Sequence, residues 1–479
     1  MAPPRLAEAT LHRLRADIAR PAYDRRAAAA GVVHLGIGAF HRAHQAAIFD
    51  RLLETDPRWA VRAASLRSGS VRDVMAPQDS LYCLVERAGE GERIRLLGAV
   101  RDVLVAPQDP LALVEALAAR ETHIVTVTVT EKGYLPDPQE TAGQPRTAAG
   151  FLAVALALRR ERGLAPFTVI SCDNLPHNGV RLRQAVLDRA EPHLRDWIAE
   201  RAAFPQTMVD RIVPATDDAD VERLAARIGL VDRAMVKTEP FLQWVIEDRF
   251  AGERPDFEAA GVQVVADVAP WEEAKLRLLN GAHSAIAYLG GLAGIAFVHD
   301  FVANPAGRDF VEALWDEAET TLSPPPGLDL AAYRGALMAR FANAALQHRT
   351  RQIAMDGSQK LPQRLLGPIA VRLERGRPIN ALALAVAAWM RWQHGRTDAG
   401  DAFAVDDPLA AETRRRLAGA AGAAAQVRAL LAMDAIFPPP LAADPRFEAA
   451  LVRQLDWLLA SGARAAVERF AAGEGGRHG

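Results

Sequence analysis

Four polar residues of chemically different kinds stand on one otherwise apolar stretch, residues 271–290: Glu272, Lys275, Asn280 and His283. Leu276, Leu279 and Ala282 recur at three-residue steps, and no proline follows before Pro305, so the spacing predicts a helix. At about 100° per residue the four groups share one arc of roughly 140°. One reading is a solvated face with an ion pair such as Glu272–Lys275 at helical spacing. The other is a site, because residues 285–297 that follow are almost without charge. As a site, the set suits the interconversion of a secondary alcohol and a ketone. A lysine whose pKa is lowered by apolar surroundings takes the hydroxyl proton. The amide of Asn280, with that of Asn174 further up the chain, donates to the oxygen as it acquires charge. His283 holds a neighbouring hydroxyl, and Glu272, one turn before the lysine, passes the proton to water. Such a set requires neither a metal nor a covalent intermediate.

This chemistry needs a nicotinamide held by the first part of the chain, and the sequence there has the pattern of a dinucleotide fold. Residues 31–50 give a short buried strand, a glycine turn and a helix, with Gly36 and Gly38 as G-x-G between them. That turn brings backbone N–H groups to a pyrophosphate; the third position of the usual fingerprint holds His41 instead of glycine. Strands are predicted over residues 61–66, 81–87 paired with 94–100, 123–130 and 167–172, and helices over 110–119 and 148–162. Their alternation predicts a parallel, doubly wound sheet. Ligands of such sheets bind beyond the strands' carboxyl ends, where Gly36–Gly38, Thr130–Glu131 and Asp173–Asn174 fall. Residues 208–213, 241–247 and 262–268 read as a β extension. From residue 272 onward the pattern is helical, broken at residues 323–327 and 437–440. The expected architecture is α/β: a Rossmann-like domain with its β extension over residues 1–271, and a mainly α-helical domain over residues 272–479, with the polar helix at the junction.

Composition narrows the class. A chain of 479 residues is longer than one core usually fills. A net charge of −2 offers no general affinity for nucleic acid or membrane. No apolar run reaches the roughly 20 residues of a membrane span, and the first residues lack a signal peptide's apolar core. Two cysteines, Cys83 and Cys172, suit a reducing compartment, and a cytoplasmic location is expected. His41 and His44 have no acidic or cysteine companions at metal-ligand spacing, so no metal is expected. The glycine-rich tail from residue 473 is expected to be disordered.

Six motifs together resemble the polyol-specific long-chain dehydrogenases, the mannitol dehydrogenase family, over almost the whole length. They are His34-Leu-Gly-Ile-Gly-Ala-Phe-His-Arg-Ala-His-Gln45, Thr128-Val-Thr-Glu-Lys-Gly-Tyr134, Ser171-Cys-Asp-Asn174, Thr207-Met-Val-Asp-Arg-Ile-Val-Pro214, Gln243-Trp-Val-Ile-Glu-Asp248, and Lys275 with Asn280 and His283. The resemblance implies metal-independent hydride transfer with Lys275 as general acid/base, Asn174 and Asn280 on the oxyanion, His283 positioning substrate and Glu272 serving proton transfer. It places the dinucleotide on Gly36, Gly38, Ala39, Phe40, Thr130, Glu131 and Asn174. Within the family, residues 349–364 are similar to the fructuronate reductase branch, mannitol dehydrogenases tending to carry arginine where Gln352 stands. A uronate carboxylate would give Lys360, Arg349, Arg351 and Arg364 a task beside Gln352. The branch usually has Thr-Trp-Gln where this chain has Thr350-Arg-Gln352, and Ser where it has Ala282. The expected reaction is D-fructuronate to D-mannonate. The alternatives are a mannitol 2-dehydrogenase or related polyol dehydrogenase and, from another class, a non-catalytic nucleotide-binding regulator.

The family implies NAD. The second strand nevertheless ends Ser65-Leu66-Arg67-Ser68-Gly69-Ser70 with no carboxylate before Asp73, so NADP is the alternative and Arg67 a cofactor contact. The partner is expected to be a small sugar acid or polyol, with no nucleic acid and no membrane, and the protein a monomer or weak oligomer.

Overall fold

The computed structural model describes residues 3–89, 91–141, 143–325 and 327–473, without the side chains of Glu131 and Lys132. The tail expected to be disordered lies, from residue 474, outside the described residues. The chain divides into two compact units, residues 1–268 and 269–479. Residues 269–271, expected with the first domain, fall in the second unit because its first helix already begins at Ala269.

The strands of the first unit are β1 (Val32–Leu35), β2 (Val61–Ser65), β3 (Tyr82–Ala88), β4 (Gly91–Leu97), β5 (Val100–Val105), β6 (Ile124–Val127), β7 (Thr168–Ser171), β8 (Thr207–Asp210), β9 (Val236–Thr238), β10 (Gln243–Glu247) and β11 (Gln263–Val265). Five of them form a parallel sheet in the order β5-β2-β1-β6-β7. Every residue of β1, β6 and β7 is buried, as a sheet covered on both faces requires. Helices α1 (Ala39–Ala43) and α2 (Gln45–Leu52) follow β1, α3 (Ser70–Met75) follows β2, and α4 (Pro110–Ala118) follows β5. Helix α5 (Ala148–Glu161) links β6 to β7, after which come α6 (Asn178–Arg189) and α7 (Pro192–Arg201). The order of strands reverses between β1 and β6, the switch point at which such sheets bind ligands. The β extension consists of two three-stranded sheets, β4-β3-β9 and β11-β10-β8.

Several local expectations change. The strand expected over residues 94–100 is two strands: β4 closes an antiparallel hairpin with β3, and Val100 opens β5, the edge of the parallel sheet. The strand expected to reach Thr130 stops at Val127, because Thr130 takes a left-handed φ of 65°. Among the three extended pieces lie helix α8 (Asp218–Ile228), capped by Asp217, and the short β9.

The second unit is helical throughout its described residues. Its centre is α10 (Gly281–Leu292), preceded by α9 (Ala269–Ala274), with the helix Asn380–Trp392; both are buried nearly all round. The helix expected over residues 271–290 is not one regular α-helix. Between α9 and α10 the chain winds one π turn, Lys275–Asn280, and a second π turn, Pro362–Leu366, interrupts the run from Gly357 to Glu374. Among the described residues no helix is long and apolar enough to cross a membrane.

Candidate active site

In a π turn the ladder bonds run five residues back. The Gly281 N–H accordingly reaches the carbonyl of Leu276, and the wider winding brings Lys275 and Asn280, five apart, nearer to one face than regular α-helical spacing would. The displaced carbonyl of Leu278 accepts the indole N–H of the buried Trp315 at 2.9 Å, so the irregular turn leaves no orphan there. A Cβ on Gly281 would stand 3.1 Å from the carbonyl oxygen of Arg364, so the two π turns meet at a glycine.

Lys275, Asn280 and His283 are each buried, at 6–7 % exposure. The Nδ2 of Asn280 and the Nε2 of His283 have no hydrogen-bond partner although both atoms are buried. Buried polar atoms left in this state are costly, and they mark the place where a ligand's polar groups would be received. His283 lies 5.1 Å, ring to ring, from His348, with the planes at 89°, and 4.7 Å from Phe341. Burial first, then His348, Arg340, Arg364 and Lys275, hold the His283 pKa well below its ordinary value. The same burial, with Arg340, lowers His348 to about 4. Both imidazoles are therefore neutral at pH 7. Arg364 donates to Ser284 Oγ at 3.1 Å and to the Asn280 carbonyl at 3.4 Å. Glu272 lies three residues before Lys275, half-buried on α9, while its neighbour Glu273 pairs with Arg277 at 3.4 Å.

In the first unit a groove of about 1640 Å³ opens along the carboxyl ends of β1, β2, β5 and β6. Gly36, Ile37, Ser65, Arg67, Thr128 and Thr130 are among its lining. Gly36 has a φ of 99°, and a Cβ there would sit 2.1 Å from the Thr128 carbonyl oxygen, so only glycine makes this turn. At Gly38 a Cβ would meet nothing nearer than 3.9 Å, which leaves the helix start open to a ligand. His41, in place of the third glycine, lies flat on His34 of β1 with centroids 3.3 Å apart and planes at 11°. Asp173 turns back to accept the N–H groups of Thr130 (2.8 Å) and Val129 (3.2 Å), fixing the loop at the groove's edge.

Residues 30–259 match the family described as the mannitol dehydrogenase Rossmann domain, and residues 267–459 the mannitol dehydrogenase C-terminal domain. The chain belongs to the mannitol dehydrogenase family. It is an oxidoreductase of that family, whose members act on CH–OH groups and depend on NAD. It is 43 % identical to the D-mannonate oxidoreductase of Escherichia coli K12, over 94 % of this chain and 97 % of that protein. It is 40 % identical to a mannitol 2-dehydrogenase of Pyrenophora tritici-repentis, over 95 % and 84 %. Among solved structures it is similar to the Pseudomonas fluorescens mannitol 2-dehydrogenase in its ternary complex with NAD and D-mannitol, with a TM-score of 0.90 and 36 % identity over 98 % of this chain and 99 % of that one.

Not every residue expected to bind a ligand in this dehydrogenase stands at the groove or on the helix that carries Asn280 and His283. Of the basic residues expected to hold a carboxylate, Arg364 donates to that helix. Lys360 donates to the carbonyls of Ile353 (3.3 Å) and Met355, closing the end of a short helix. Arg349 and Arg351 lie over the rings of Phe297 (5.2 Å) and Phe403 (5.1 Å), and Gln352 is exposed. Phe40 stacks on His44 at 5.1 Å, with Ala39 beside it at the start of α1; neither lines the groove. Asn174 is exposed just past β7, at the same edge of the sheet as the groove. The side chain of Glu131 lies outside the described residues. Arg340, missed in the sequence, and His348, read there only as the histidine of the basic passage, act electrically on His283. No spacing ties them to the helix of His283, since they come from separate segments. Among the described residues no three His, Cys, Asp or Glu side chains gather as metal ligands.

Proposed function

We propose that this enzyme interconverts D-mannonate and D-fructuronate, using NAD held along the groove of its first unit. The observation that carries the alcohol–ketone chemistry is the buried set on one turn and the helix after it: Lys275, the unpartnered amide Nδ2 of Asn280, and His283. The groove suits a dinucleotide because it runs past a turn only glycine can make and a helix start where added side-chain atoms would meet open space. Gly36, Gly38, Thr130 and Asn174 are the residues assigned to it. The bound nicotinamide supplies or accepts the hydride at the carbinol carbon.

Lys275 takes the proton of the reacting hydroxyl during oxidation and returns it during reduction. Its buried position keeps that exchange from being shared with bulk water. Asn280 Nδ2 donates to the same oxygen, and this bond strengthens as negative charge builds up there. His283, held neutral, keeps one donor and one acceptor nitrogen, enough to fix a neighbouring hydroxyl of a polyol chain. Glu272 relays the lysine's proton outward. The cations that depress His283 also create a positive field around it, which favours a substrate bearing a carboxylate, and Arg364 is the residue assigned to that group. The two buried, unpaired cysteines support a reducing, cytoplasmic setting.

A second reading, mannitol 2-dehydrogenase, is favoured by the similarity to the Pseudomonas fluorescens enzyme. Steady-state reduction of D-fructuronate and of D-fructose by purified protein separates the two. The expected kcat/KM is at least about 100-fold higher for the uronate, the scale of a buried charge contact to substrate. A preference for fructose replaces the first reading with the second.

A further inference from the structure

We infer that the groove contains a subsite for a phosphate on the adenosine 2′-oxygen, so that the enzyme accepts NADP(H) as well as NAD(H). The inference rests on the reading of the groove as the dinucleotide site. A fold of this kind selects NAD with a carboxylate at the end of the second strand, which accepts the ribose 2′-hydroxyl and repels a 2′-phosphate. Here β2 ends at Ser65, and the groove wall beyond it is built from Arg67, Ser68 and Ser70. All three are exposed. The Ser68 and Ser70 hydroxyls hydrogen-bond each other at 3.0 Å, which holds the pair together on one rim and leaves one of the two O–H groups to donate outward. The first carboxylate after β2, Asp73, is bound by Arg72 at 2.7 Å and is not part of the lining.

The charges around the groove point the same way. Its charged lining residues among those described are Arg67, Asp137 and Arg146. Asp137 and Arg146 neutralise each other at 3.1 Å. Arg67 is left as the net charge on the β2 rim. A phosphate monoester brings about −1.5 to −2 charges and three acceptor oxygens. A guanidinium beside a hydroxyl pair matches that group in charge and donor chemistry, and the one carboxylate close by, Asp73, whose Oδ2 lies 3.4 Å from where a Cβ on Gly69 would stand, is neutralised by Arg72.

Calorimetric titration of the full-length enzyme with AMP and with adenosine 2′,5′-bisphosphate isolates the added phosphate without any turnover. The bisphosphate is expected to bind about tenfold more tightly than AMP. In Arg67→Ala that advantage should disappear. In Ser70→Asp, which restores a carboxylate to the rim, the order should reverse. AMP binding with no gain from the 2′-phosphate overturns the inference and leaves the groove reading standing. Failure of both nucleotides to bind overturns the groove reading, and the inference with it. Kinetics give an independent check: kcat/KM values for NADPH and NADH within about tenfold of one another support the subsite, and a preference for NADH beyond about 100-fold removes it.

Discussion

A lysine that exchanges a proton with substrate must be shielded from water and still reach an oxygen. Lys275 meets the first condition at 6 % exposure. Lys275→Ala should lower kcat by about 10²–10⁴, the usual contribution of a positioned acid/base group. Asn280→Ala should cost about 10²–10³, as loss of an oxyanion donor does. Nucleotide affinity, measured by fluorescence titration, should change little in either variant; full turnover by Lys275→Ala would dismiss it as the base. At this scale the proposed set could be read from the sequence where one segment holds it, as residues 272–283 do. It was uninformative where the set is assembled from distant segments. Arg340 and His348 bias His283 through space, and Arg349 and Arg351, more conspicuous in the sequence, spend their guanidinium faces on aromatic rings.

At the scale of elements, the feature that matters is the meeting of two π turns. The second has a visible cause: Pro362 lacks the N–H that an α-helical ladder needs at that point. The first has none in its sequence, since Lys275-Leu-Arg-Leu-Leu-Asn280 would serve equally well as α-helix, and only the partners supplied by Trp315 and the facing turn select the wider winding. Gly281→Ala tests this contact. Its methyl carbon would press on the Arg364 carbonyl at 3.1 Å, and overpacking of this kind costs about 1–3 kcal/mol. The variant should unfold at a lower temperature and, because the shift falls at Asn280, lose kcat with NADH affinity retained. Unchanged kcat and stability would mean that the two turns adapt independently. Elsewhere, α8 was missed although Asp217 caps it and the left-handed Gly229 stops it, because it lies between runs read as extended. Helix α7 was missed too, because it buries only Leu194 and Ile198.

At the scale of the whole molecule, several titratable groups are held in the form they prefer out of water. Burial keeps His34 at about 3 and His348 at about 4, with His41 and His283 also well below the ordinary value. Unfolded, each takes up a proton near pH 6.5. The unfolded chain then binds more protons than the folded one as pH falls from about 6.5, so stability declines with it. The part due to His348 is lost by about pH 4, where the folded protein protonates as well. Glu317 acts in the opposite sense: burial raises it to about 7, so its contribution is complete below its unfolded value and disappears as pH rises through 7. Melting temperatures should therefore fall from pH 6.5 to pH 4.5, less steeply in His348→Gln, while Glu317→Gln should remove a loss between pH 5 and 7. A slope unaltered in both variants would assign the pH response to other groups. The division into a Rossmann-like unit and a helical one was plain from the change of hydrophobic period near residue 270. The exact registers of the short strands were not, since four-residue runs such as Val32–Leu35 carry too little pattern to fix their ends. The flat stack of His41 on His34 has a bearing on how chains of this build are recognised. A filter that demands three glycines after the first strand rejects this one, because the imidazole pair does the close packing that the third glycine would otherwise allow. The signature this structure supports is His-x-Gly-x-Gly-x-x-His, in which the two histidines are one joined unit and a replacement of either alone leaves a gap against the sheet.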